Sequence, residues 1–113
     1  MPDFAQIDEV APSPQFGNCG PAGWTFSLWG SPRCAAEVHR QLIEAVAAKY
    51  PDTCLKLPAW QMGEDCIEGD MKWATVPISI WFETTLNFTS FWSADQAAIL
   101  GLRAAVLPLA KKA

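Results

Sequence analysis

The chain has one histidine and one tyrosine in 113 residues, and 8 basic residues against 12 acidic ones. A single histidine excludes zinc sets built on paired histidines. None of the four cysteines stands in the close C-x2–4-C pair that a zinc site favours. Basic residues this sparse do not make a phosphate-binding surface, so nucleic acid is not an expected partner. The longest apolar run, Ala97 to Ala110, is broken by Arg103 and falls short of the ~20 residues a membrane span needs. The first residues, Met1-Pro2-Asp3-Phe4, lack the basic and apolar regions of a secretory signal, so a cytoplasmic chain is expected. P-loop, G-x-G-x-x-G, H-E-x-x-H and G-x-S-x-G strings are all missing. The glycine-rich stretch Gly17 to Gly23 runs into a strand pattern, whereas a phosphate cradle wants a helix N-terminus there. No cofactor and no metal is expected.

What the chain does have is apolar and aromatic. Half of it is hydrophobic, and six tryptophans fall at positions 24, 29, 60, 73, 81 and 92. That composition excludes disorder for most of its length. It is enough for one domain with a core of its own. Cys19, Cys34, Cys54 and Cys66 are expected to be reduced thiols in a cytosolic setting.

Residues 1–23 hold Pro2, Pro12, Pro14 and Pro21 and read as an irregular N-terminal arm. The remainder, 24–113, reads as a single α+β domain. Trp24 to Trp29 is a short strand candidate. Ser31-Pro32 then supplies a favoured cap and first residue for a helix, which Pro51 stops. On that helix Ala35, Val38, Leu42, Ile43, Val46 and Tyr50 share one face. Residues 55–62 suggest an edge strand containing Pro58, and Gly63 to Asp70 a polar turn. Val76, Ile78, Ile80 and Phe82 alternate with polar residues and Trp81. Leu86, Phe88 and Trp92 do so again, which predicts a hairpin. Ser93-Ala94-Asp95-Gln96 opens a second helix that reaches about Leu107. The expected fold is therefore an α+β two-layer sandwich. Its antiparallel sheet has three or four strands, its helices number two, and its order is β-α-β-β-β-α.

Several residues are candidates for chemistry. Cys34 falls in the first turn of the first helix beside Arg33, where backbone N–H groups favour a thiolate. His39 lies five residues on, about 140° round the helix, so the two cannot form a pair within it. His39 sits on the apolar face and must find a partner for its N–H. It is a catalytic candidate in a helix–sheet pocket, or else a satisfied core histidine. Glu64, Asp65, Glu68 and Asp70 cluster without the spacing of a calcium loop, and read as a solvated turn or a docking surface for a basic partner. With the even-numbered hairpin residues inside, Trp73, Thr75, Ser79, Trp81, Asn87, Thr89 and Phe91 lie on the opposite face. Aromatics mixed with hydroxyls and amides suit a protein interface. On the last helix Ala97, Gly101 and Ala104, with Leu100 and Leu107, leave an apolar face for a second copy of the chain.

The leading expectation is a non-enzymatic protein-interaction module, with the general profile of small acidic antitoxin or immunity proteins. A small enzyme or ligand-binding protein built around His39 is the alternative. An oligomeric assembly subunit is the third.

Overall fold

The alternation over residues 76–82 forms the strand it predicts, and that strand lies within a larger sheet than expected. The computed structural model describes residues 4–14, 22–31, 36–50, 52–58 and 66–110. In chain order these form β1 (Phe4–Ile7), β2 (Ala11–Pro14), β3 (Ala22–Gly30), α1 (Ala36–Lys49), β4 (Cys66–Trp73), β5 (Val76–Glu83), β6 (Phe88–Ser93) and α2 (Gln96–Ala110). The class is α+β, and the described residues form two helices and one antiparallel sheet. Among them the sheet has six strands, not three or four. It runs β1-β3-β6-β5-β4, and β2 pairs with β3 beside β1.

Two corrections account for the extra strands. Residues 4–7 and 11–14, expected to be irregular, pair with β3. Pro12 and Pro14 are tolerated because β2 pairs with no other strand among the described residues, so a missing N–H is not costly there. Residues 66–70, expected in a polar turn, belong to β4. Ile67, Gly69, Met71 and Trp73 point one way there, and Cys66, Glu68, Asp70 and Lys72 the other. From the expected strand at 55–62, the described part gives only a bridge between Lys56 and Asp70. Residues 59–65 lie outside the described residues, as do 32–35, where the first helix is expected to start.

Both helices lie on one face of the sheet. The core joins Leu42, Ile43 and Val46 of α1 and Ile99, Leu102 and Val106 of α2 to sheet residues. Those are Phe26, Leu28, Met71, Ile78, Ile80 and Phe91. Directly paired residues share a face, so register sorts the rest. Ile80 sits opposite both Phe91 and Gly69, Phe82 opposite Thr89, and Phe91 opposite Phe26. Phe26 and Phe91 stack at 4.9 Å. On α2, Asp95 is the cap: its Oδ1 accepts from the Ala98 N–H at 3.3 Å. The helix continues through Pro108 to Ala110, past the end expected near Leu107.

Candidate functional site

Register places three expected interface residues on the helix side instead. Thr89 and Phe91 are 0% and 1% exposed and lie under the helices. The reason is the turn. Residues 84–87 make a four-residue connection, which brings Glu83 opposite Phe88. The outward set of β6 is therefore Phe88, Ser90 and Trp92. Trp73 also faces the helices. Its ring lies 4.7 Å from Tyr50, and a Cβ on Gly101 would stand 2.7 Å from its Nε1. Gly101 thus lies close against Trp73 within the chain. Thr75 lies in a turn, and Asn87 in the next.

The outer face keeps its aromatic character with a different membership. Three rows of paired residues cross it. Glu68, Trp81, Ser90 and Ser27 form one; Cys66, Glu83, Phe88, Trp29 and Gln6 the next; Asp70, Ser79, Trp92, Thr25 and Ala11 the third. Trp29 and Phe88 sit 4.7 Å apart with their planes tilted. The Trp29 Nε1–H donates to the Asp8 carboxylate at 3.0 Å. Ser27 and Ser90 share a hydrogen bond of 2.5 Å. Trp92 is buried on this outer side, lying across Gly23 with its Nε1–H donating to Ser13 O at 3.0 Å. Only glycine leaves room for that ring, because a Cβ on Gly23 would also stand 2.6 Å from Ser93 O. Trp29, Trp81 and Phe88 remain half-buried. None of them belongs to, or packs against, the core that joins the helices to the sheet.

Glu68 and Asp70 are exposed on β4, beside Trp81 and Ser79 respectively. Glu83 pairs with Phe88, so each carboxylate has an aromatic or hydroxyl neighbour on the same face. Lys72, paired with Pro77, and Lys56, bridged to Asp70, are bases on this face among the described residues. Glu64 and Asp65 lie outside the described residues, as does Cys34. No group of three His, Cys, Asp or Glu suited to a metal occurs among the described residues.

His39 is 1% exposed, with Phe4 edge-on at 5.0 Å and Phe82 at 4.7 Å. The Asn87 amide donates through Nδ2 to Ser31 O at 3.1 Å, which turns its Oδ1 towards His39 Nε2 at 2.9 Å. Nε2 is then the protonated nitrogen. Nδ1 accepts from the Thr89 hydroxyl at 2.7 Å. Asn87 holds a left-handed φ of 57°, a conformation Asn adopts more readily than most residues. Burial lowers the His39 pKa below its ordinary 6.5, partly opposed by the Asn87 hydrogen bond. A hydroxyl aimed at a neutral imidazole is a nucleophile–base geometry. Here it is sealed, because Thr89 is 0% exposed and cannot touch a substrate. The arrangement pins α1 to β6 and to the turn before it.

No protein-family model, curated protein or solved structure matches this chain. The class that fold and surface define is an α+β protein with helices on one sheet face and aromatics on the other. Among the described residues no helix is long and apolar enough to cross a membrane.

Proposed function

We propose that this chain is a non-enzymatic protein-interaction module that binds a basic partner across its outer sheet face. One observation carries the reading. Trp29, Trp81 and Phe88 lie on the side away from both helices, outside the core, and Glu68, Glu83 and Asp70 occupy the paired positions beside this patch. A partner arginine could lay its guanidinium on an indole and reach a neighbouring carboxylate. Tryptophans are among the residues that dominate binding energy at interfaces. The chain's net charge of −4 would speed encounter with a basic surface. The alternative around His39 draws no support from its surroundings, since both ring nitrogens are engaged and the ring is enclosed.

The test titrates the full chain with a basic model peptide of Arg-Gly repeats and follows tryptophan fluorescence. The expected result is a saturable change that weakens with salt. It should be lost in the paired reversal Glu68→Lys, Glu83→Lys and in Trp81→Ala. No saturable change, or equal binding by the charge-reversed chain, overturns the proposal.

A further inference from the structure

A second surface lies on the helix side, between the edge strand β1 and α2. It is a groove of about 570 Å3, walled by Phe4, Ile7, Leu107 and Ala110 and edged by Gln6, Glu9 and Arg103. That volume falls in the range of small-molecule sites, and the lining divides about evenly between polar surface and the apolar surface of Phe4, Ile7, Leu107 and Ala110. The strand bulges between Phe4 and Gln6. Bulges are enriched at sheet edges and next to ligand sites, where they re-aim side chains.

Arg103 is the informative residue. Its side chain is 17% exposed, and its Nε–H donates to Asp8 O at 2.8 Å. One Nη2–H reaches Glu9 Oε1 at 3.3 Å. The Glu9 side chain is 89% exposed, so that pair is weak and readily exchanged. The two N–H groups on Nη1 meet no acceptor among the described residues. Arg40 contrasts with it: both of its terminal nitrogens donate to backbone carbonyls, those of Leu57 and Pro58. Arg103 therefore holds one weak, exposed ion pair and leaves Nη1 without an acceptor among the described residues, at one end of the groove.

We propose that this groove binds a small monocarboxylate with an apolar chain, its carboxylate held by Arg103 and its chain laid along Phe4, Ile7 and Leu107. Glu9 occupies the carboxylate position when the groove is empty and swings into solvent when it is filled. The planar fork of arginine matches a carboxylate through two parallel hydrogen bonds. A ligand lacking the charge would leave the guanidinium unmatched.

The test is a titration of the full-length labelled chain with sodium octanoate, read by NMR, with acetate and octanol as comparisons. Octanoate should give saturable shifts at Phe4, Ile7 and Leu107, with affinity about tenfold or more above that for octanol. Acetate, which lacks the chain, should bind more weakly still. Arg103→Gln should lose about tenfold, and Glu9→Gln should gain affinity by removing the competing carboxylate. If Arg103→Gln does not fold, Arg103→Lys serves instead, and should bind less tightly than the parent because it lacks the fork. The proposal is overturned by shifts that do not saturate or that map to the outer sheet face. Octanol binding as well as octanoate overturns it, as does unaltered affinity in the arginine variant. Groove signals that follow protein concentration and not octanoate would assign the groove to a second copy and would also overturn it.

Discussion

Thr89→Val tests whether the buried His39 network holds the helix layer to the sheet. The substitution keeps the β-branched shape and removes only the hydroxyl that donates to His39 Nδ1 at 2.7 Å. With His39 1% exposed and Thr89 0% exposed, no water can replace that donor at once. The cost is that of stranding a buried acceptor, about 1–3 kcal/mol. Removing both partners, in His39→Leu with Thr89→Val, takes the stranded group away. The double variant should therefore lose less than the sum of the singles, by about 1 kcal/mol. Urea unfolding of the parent, both singles and the double at pH 7.5 measures all four terms. The same network sets a pH dependence. The folded chain holds His39 below 6.5, while the unfolded chain takes up a proton near 6.5. The contribution is intact above about 6.5. As pH falls from there towards the folded-state value the unfolded chain binds the extra proton, so stability drops. His39→Leu should flatten the profile between pH 7.5 and pH 5.5. A loss below about 0.5 kcal/mol in Thr89→Val, together with a parent profile no steeper than that of His39→Leu, would refute the reasoning.

Other substitutions test the fold and its two faces. Phe91→Ala removes a core ring stacked on Phe26 and should cost about 3–5 kcal/mol. Trp81→Ala, on the outer face, should cost clearly less in the same urea assay; equal losses would contradict the assigned register. Gly23→Ala drives a methyl against Trp92 and the Ser93 carbonyl, and should lower stability by about 1–3 kcal/mol with a shifted tryptophan emission. Replacing Ala74-Thr75, whose φ angles are 50° and 69°, by Asn-Gly relieves two left-handed residues in a two-residue hairpin. It should raise the urea midpoint, by about 1 kcal/mol or more in stability. Asp95→Ala removes the cap of α2 and should cost about 1 kcal/mol.

That Ala74-Thr75 turn also explains why the sequence hid a hairpin. The standard signal for a two-residue hairpin is Asn-Gly or Asp-Gly; Ala-Thr carries none, and Thr is β-branched at a positive φ. The strand before it, β4, shows three charged residues and a cysteine outward and so reads as a polar turn unless its inward Ile67, Met71 and Trp73 are followed. The alternation of β5 was legible because Ile78, Ile80 and Phe82 are all buried and their neighbours are not. In β6 the pattern fails for a different reason. The strand is central, Phe91 faces the helices, Trp92 is buried on the other side, and both faces are apolar. Period two then gives two faces without saying which is which. Leu86 is in phase with Phe88 and Trp92 along the sequence, but it is 60% exposed in the turn. The length of that turn fixes the parity, and length is not written in hydropathy. The helix face of His39 was readable from its spacing with Ile43 and Val46. Its partners Asn87 and Thr89 are about 50 residues away, and only the fold brings them near.

The parity of β6 changes what the outer face means. Had Phe91 faced outward, the aromatic patch could have been surplus core, left by a sheet with too few helices to cover it. With Phe91 inside, the helix layer is complete without Trp29, Trp81 or Phe88: the core closes on Phe26, Ile78, Ile80, Phe91 and the two helices. The three outer aromatics instead lie half-buried on their own side of the sheet, where Trp29 packs on Phe88 and donates to Asp8. They also carry a hazard, since an exposed apolar patch invites association. Serines and a threonine between them, and carboxylates beside them, limit that hazard and at the same time restrict which surfaces can dock. On the proposed reading, a sheet face that keeps large rings outside the helix-side core and places acids next to them is a surface for a partner that supplies positive charge.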